Sequence, residues 1–153
     1  MDTLSILLVD DDRNLVTTLS YGLHKAMGEE TSVAVCFSRS EALSLLATQS
    51  FNVVVSDFNM PGMSGLEFLE GIRQKHWEII LVLITAYGTD ALEEGARQLG
   101  GGYITKPFEP SFLVQLIKGL IQDKAENGSR VMHQLGKPAG SSQHRRLEGS
   151  LHE

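Results

Sequence analysis

The sequence predicts an α/β fold: a five-stranded parallel sheet, doubly wound as (βα)5, with helices on both faces. Three observations carry that prediction. Short apolar runs rich in Val and Ile alternate strictly with longer segments of helical periodicity. The runs are blocky rather than alternating, as strands buried on both faces should be. Helix start and stop signals fall in the gaps between them.

The elements follow in order. Ile6–Val9 is the first strand. Asp12 is placed to cap the first helix, where Leu15, Leu19, Leu23 and Met27 recur every four residues and Gly28 is the stop. Val33–Phe37 is the second strand; Ser38 or Ser40 then opens a helix with a stripe of Ala42, Leu43 and Leu46. Phe51–Val55 is the third strand. Ser64, with Glu67 three residues on, reads as a capping box before Leu66, Leu69 and Ile72. Ile79–Ile84 is the fourth strand, followed by Ala91, Leu92, Ala96 and Leu99, with Gly100 as the stop. Tyr103–Thr105 is short and assigned as a strand mainly from its position. Ser111 lies near the start of the last helix, whose stripe of Phe112, Leu113, Leu116, Ile117 and Leu120 is the clearest. Strict alternation implies right-handed crossovers and a flavodoxin-like three-layer sandwich.

The chain has 153 residues, 42% hydrophobic and 21% charged. That suits one domain, residues 1–124, followed by a flexible tail or truncated linker, 125–153. The tail contains four Gly, one Pro and no sustained apolar stripe. His133, His144 and His152 are irregularly spaced there, and Arg145–Arg146 reads as a solvated pair. The net charge is −6. Residues 1–124 carry nine basic against sixteen acidic side chains. Such acidity argues against nucleic-acid binding by this chain. Cys36 is the single cysteine, which excludes a disulfide within the chain and a multi-Cys zinc site. No stretch is long and apolar enough to span a membrane, and residues 1–9 lack the pattern of a signal peptide. A cytoplasmic location is the expectation.

In doubly wound sheets, ligand chemistry sits at the carboxyl ends of the strands, beside a topological switch point. The first strand ends in Asp10-Asp11-Asp12, the third in Asp57-Phe58-Asn59-Met60-Pro61-Gly62, the fourth in Thr85-Ala86 and the fifth in Lys106-Pro107. Each has a plain reading. Asp12 is an N-cap, Asp57 a turn-opening Asp, Thr85 a β-branched strand residue and Lys106 a surface lysine. Jointly they place carboxylates, a hydroxyl and an ammonium at one sheet edge. Clustered carboxylates repel unless a cation joins them, and an all-oxygen acidic set selects a hard ion such as Mg²⁺. A carboxylate nucleophile flanked by positive charge is the inventory of aspartyl-phosphate chemistry.

These residues resemble the receiver domain of two-component response regulators of the chemotaxis-regulator type. The motifs are Ile6–Asp12, Asp57–Glu67, Ile84-Thr85-Ala86-Tyr87 and Tyr103–Phe108, within residues 4–123. The resemblance implies that Asp57 accepts a phosphoryl group from a sensor histidine kinase or a histidine phosphotransfer protein. It implies that Asp10, Asp11, Asp57 and the Asn59 backbone carbonyl bind Mg²⁺. Thr85 and Lys106 would stabilise the phosphoryl group, and Thr85 with Tyr103 would form the switch. The Lys106–Pro107 bond would be cis. Phosphorylation would then alter a face formed by the fourth helix, fifth strand and fifth helix (Ala91–Leu99, Tyr103, Phe108–Leu120), for partner binding or dimerisation. Asn59 and Tyr87 lie two residues after Asp57 and Thr85 and are expected to tune hydrolysis, a bulky Tyr87 slowing it. On this reading the chain is a signalling switch and not a turnover enzyme. It is either a complete single-domain regulator or a fragment of a longer protein. The run Gly100-Gly101-Gly102 is expected to loosen the switch face.

Two other classes fit less well. A haloacid-dehalogenase-like phosphohydrolase leaves Asp57 and Lys106-Pro107 unexplained. A flavodoxin-like electron carrier needs a phosphate-cradling loop where this chain has three acids. No GxxxxGK[ST] loop occurs.

Overall fold

The apolar runs become strands because both of their faces are covered. A computed structural model describes residues 3–28, 30–62 and 64–133. The strands are β1 (Ser5–Val9), β2 (Ser32–Cys36), β3 (Val53–Asp57), β4 (Ile80–Thr85) and β5 (Gly102–Thr105). The helices are α1 (Arg13–Met27), α2 (Arg39–Thr48), α3 (Gly65–Lys75), α4 (Asp90–Gln98) and α5 (Pro110–His133). All strand pairs are parallel, in the order β2-β1-β3-β4-β5. The chain moves from β1 outward to β2, then back across to β3, so the order reverses beside β1 and β3. The chain divides into two units, Met1–Ile121 and Gln122–Glu153.

Side chains alternate between two core layers, as the pleat requires. Ile6, Leu8, Val53, Val55, Val82 and Ile84 meet Val16, Leu19 and Leu23 of α1 and Leu113, Val114 and Ile117 of α5. Leu7, Val9, Val54, Leu81 and Leu83 meet Ala42 and Leu46 of α2, Phe68, Leu69 and Ile72 of α3, and Ala96 of α4. β1, β3 and β4 are buried nearly throughout, whereas Val33, Ala34 and Val35 of β2 are only half-buried. β2 is the edge strand, and it is still covered on both faces: Val33 and Val35 pack into one core layer, Ala34 and Cys36 into the other.

The caps are largely those the sequence signals. Asp12 accepts from the Leu15 N–H, Ser38 from the Glu41 N–H, and Ser64 with Glu67 completes a capping box. Ser40 is not the α2 cap. Thr89 caps α4, and α5 starts at Pro110 rather than at Ser111. Proline at a first helical position loses no hydrogen bond and has its φ preset. Two stripe residues face outward: Leu43 is 44% and Phe112 57% exposed.

One further expectation changes. α5 continues past residue 124 to His133. Residues 122–126 are exposed, include the good helix formers Gln122, Lys124, Ala125 and Glu126, and carry an i,i+4 hydrogen bond from Gln122 to Glu126. His144, His152 and Arg145–Arg146 lie outside the described residues. Two positions of the glycine run call for glycine. Gly100 has φ +73°, and a Cβ on Gly101 would stand 2.7 Å from the Leu81 carbonyl oxygen. Each position excludes a side chain for a different reason.

Candidate functional site

Backbone pairing brings the strand ends together. The Asp10 N–H donates to the Cys36 carbonyl, the Phe58 N–H to Ile84 and the Lys106 N–H to Thr85, at 3.1, 2.7 and 2.8 Å. Asp57 and Thr85 are the last residues of β3 and β4, and Asp10 and Lys106 directly follow β1 and β5. The register therefore converts four distant segments into one acidic cleft. Asp10, Asp57 and Thr85 are buried, Lys106 is half-buried and Asp11 is exposed.

One carboxylate oxygen from each of Asp10, Asp11 and Asp57 lies within 4.8 Å of the other two. The Lys106 ammonium stands 3.3 Å from Asp10 Oδ2 and 3.3 Å from Asp57 Oδ1. Both of these oxygens are buried, and neither has a well-angled hydrogen bond within the described residues. Asp10 Oδ1 does accept the Asp12 N–H. Burial raises the pKa of Asp10, against the pull of the Asp12 N–H and Lys106. Burial and then the Asp10 charge raise that of Asp57, opposed by Lys106 and the Asn59 N–H. Burial works to lower that of Lys106, but the two carboxylates outweigh it and the net shift is upward. One ammonium thus faces two buried acids and leaves a negative excess. All-oxygen donors with such an excess fit a hard divalent ion like Mg²⁺.

The groups around the cleft are held in a chain. Thr85 Oγ1 donates to Asn59 Oδ1 at 3.2 Å, and the Tyr87 N–H donates to Thr85 Oγ1 at 3.1 Å. The Tyr87 side chain is 78% exposed. Tyr103 packs against the core, and its phenol oxygen is buried without a hydrogen-bond partner among the described residues. It occupies a notch that exists because residue 88 is glycine; a Cβ there would overlap the phenol oxygen. The Tyr103 hydroxyl is therefore not turned out into water. The Lys106–Pro107 peptide bond is cis. The structure thus brings Asp10, Asp11, Asp57, Asn59, Thr85 and Lys106 to one cleft, with Tyr87 beside Thr85 and the Tyr103 hydroxyl seated at Gly88.

Arg39 was not among the residues expected here. It is 5% exposed, and its guanidinium donates to the carbonyls of Asp57 at 2.7 Å, Phe58 at 3.0 Å and Met60 at 3.3 Å. The available signal was its placement. A cation in the first turn of a helix opposes the helix dipole, so it needs another reason to be there. Arg73 plays a comparable part elsewhere, donating to the carbonyls of Leu99, His76, Trp77 and Ile79.

Comparison with known proteins agrees with this geometry. The family model described as "Response regulator receiver domain" matches residues 6–118. The response regulator protein FleR of Pseudomonas aeruginosa is 42% identical over 113 residues, covering 73% of this chain and 23% of that protein. The DNA-binding transcriptional regulator NtrC of Escherichia coli K12 is 30% identical over 133 residues, covering 86% and 28%. The chain thus spans about a quarter of the length of these relatives. Among solved structures, a CheY-like receiver domain protein of Methanospirillum hungatei superposes with TM-score 0.73 at 26% identity, covering 82% of this chain and 99% of that one. The chemotaxis response regulator CheY4 of Vibrio cholerae gives 0.69 at 25% identity, covering 78% and 99%. With its parallel sheet, its cluster of strand-end acids and these relatives, the chain belongs to the receiver domains of response regulators, the phosphoacceptor switch modules of two-component signalling.

Proposed function

We propose that Asp57 is the phosphoacceptor. The observation that carries this reading is the Asp10–Asp11–Asp57 carboxylate cluster with the Lys106 ammonium 3.3 Å from two of its members. An Asp57 carboxylate oxygen attacks the phosphorus of a phosphohistidine on a sensor kinase or histidine phosphotransfer protein. A P–O bond forms, the P–N bond breaks, and the imidazole nitrogen leaves with the electron pair and takes a proton. The product is an acyl phosphate on Asp57. Loss of that phosphate to water is slow, and the chain does no other chemistry.

Asp10, Asp11, Asp57 and the Asn59 carbonyl would hold Mg²⁺. When bound, it neutralises the carboxylates and the charge on the transferring group. Lys106 adds a second positive contact, and the Thr85 hydroxyl a hydrogen bond once it turns from Asn59. The phosphoryl group brings about two negative charges and three acceptor oxygens. Drawing Thr85 toward them changes the space beside Tyr103. In this way chemistry reaches the surface of α4, β5 and the first turns of α5.

That face serves a downstream protein or a second copy of the chain. The relatives' names, such as "DNA-binding transcriptional regulator", favour transcription as the output of a longer protein. This acidic chain itself makes no nucleic-acid contact and works in the cytoplasm. Among the described residues no helix is long and apolar enough to cross a membrane.

The test is labelling with acetyl phosphate and MgCl2, read by intact mass. Wild type gains one phosphoryl group and Asp57→Asn gains none. Equal labelling of the variant rejects the assignment.

A further inference from the structure

We propose that Arg39 is a positioning residue for the cation site: by forking onto the loop after β3, it sets the direction of the Asn59 peptide toward the acidic cluster. This rests on the reading that Asp10, Asp11, Asp57 and Asn59 hold a divalent cation.

Arg39 is expensive where it stands. It occupies the first position of α2, at the positive end of the helix dipole, and it is almost fully buried. A residue serving only α2 would be better uncharged. What the guanidinium gains is the loop. Its planar fork holds the carbonyls of Asp57 and Phe58 on one side of Asn59 and that of Met60 on the other. With carbonyls fixed on both sides, the peptides of Asn59 have little freedom to rotate. The remaining contacts of Asn59 agree. Its N–H favours the ionised Asp57 carboxylate, and its side-chain oxygen takes the Thr85 hydroxyl. One residue is thus pinned by its backbone on both sides, by its amide and by its side chain. A loop held this way presents oxygen ligands without paying to order them at each binding event.

Charge offers a competing account, because Arg39 also attracts the carboxylates of Asp57 and Asp11. Lysine separates the two. It keeps the charge but cannot hold several carbonyls in one plane.

The experiment is an MgCl2 titration of the whole chain, followed by backbone amide NMR shifts at Asn59 and Asp11. The proteins are wild type, Arg39→Lys, Arg39→Met and Arg73→Lys, each checked by circular dichroism and thermal melting. Arg73 is the matched control, a buried arginine holding carbonyls of the segment that leads into β4. We expect both Arg39 variants to need about ten-fold more Mg²⁺ at half saturation, the lower end of effects at outer-shell partners. Arg73→Lys keeps the wild-type midpoint. If Arg39→Met does not fold, Arg39→Lys carries the test alone. Midpoints within two-fold of wild type, full rescue by lysine where Met fails, or an equal loss in Arg73→Lys each overturn the proposal. A wild type that gives no Mg²⁺ response overturns the underlying site along with it. Acetyl phosphate labelling of Asp57 is scored separately, so a failure of phosphoacceptor chemistry stays distinguishable from a failure of positioning.

Discussion

Thr85 and Asn59 are joined side chain to side chain: the threonine hydroxyl at the tip of β4 donates to the asparagine amide oxygen beyond β3, at 3.2 Å. This bond ties the residue proposed to sense a phosphoryl group to the loop after β3. On the proposed reading it breaks when Thr85 turns to Asp57. Thr85→Val removes the donor and keeps the shape. We expect the variant to be labelled on Asp57 by acetyl phosphate within a few-fold of the wild-type rate. We expect the Tyr103 ring resonances to shift on phosphorylation in wild type and to stay in place in Thr85→Val. A full Tyr103 shift in the variant would remove Thr85 from the switch.

Tyr103 and Gly88 form a lock. The phenol oxygen is buried, partnerless among the described residues, and seated where a Cβ at position 88 would be. A buried unsatisfied hydroxyl costs about 1–3 kcal/mol. Tyr103→Phe is therefore expected to raise stability by about 1 kcal/mol in urea melts. Gly88→Ala is expected to lower it by about 1–3 kcal/mol through overpacking. In the double variant most of that loss disappears, because the oxygen that clashes is gone. Additive effects in this double-mutant cycle would contradict the contact.

Cys36 gives a pH signature away from the cleft acids. It is 1% exposed, and burial first, then Glu41, pushes its thiol from an ordinary 9.0 up to about 11. A raised acid in the folded state binds its proton more tightly there than in the unfolded chain. Stability from this group is fully present below pH 9.0 and is lost as pH rises toward about 11. The loss should reach roughly 2–3 kcal/mol at the top of that window. Urea melts of wild type and Cys36→Ala across this range check it: the difference between the two should shrink as pH rises. A constant difference would refute the assignment. The native thiol should also resist iodoacetamide at pH 8 and react only on unfolding.

Tyr87 stands beside the Thr85 hydroxyl, with its N–H on Thr85 Oγ1. Its ring is mostly exposed, and on the proposed reading it covers the approach of water to the acyl phosphate. Tyr87→Ala is expected to speed phosphate loss from the labelled protein several-fold, measured as the decay of the phosphorylated mass. An unchanged decay would assign that ring no part in hydrolysis.

The cleft was legible in the sequence because strand ends announce it. Asp10, Asp57, Thr85 and Lys106 each follow or close an apolar run, and parallel register does the rest. Arg39 was marked only by its unfavourable place in the first turn of α2; its partners are backbone carbonyls that no residue pattern encodes, 18 to 21 positions away. Leu43 and Phe112 were read as core because a stripe gives a face but not how much of it the sheet can cover. The steric need for Gly101 was not legible because the Leu81 carbonyl that excludes a side chain there belongs to a neighbouring strand.

The central claim is that Asp57 carries an acyl phosphate. The most direct measurement is trapping it. Wild-type protein treated with acetyl phosphate and MgCl2 is reduced with sodium borohydride, and the peptides are sequenced by mass spectrometry. The account predicts homoserine at position 57 and at no other aspartate, with none formed when MgCl2 is replaced by EDTA. Homoserine at Asp10 or Asp11, or an intact Asp57 in fully labelled protein, would contradict it.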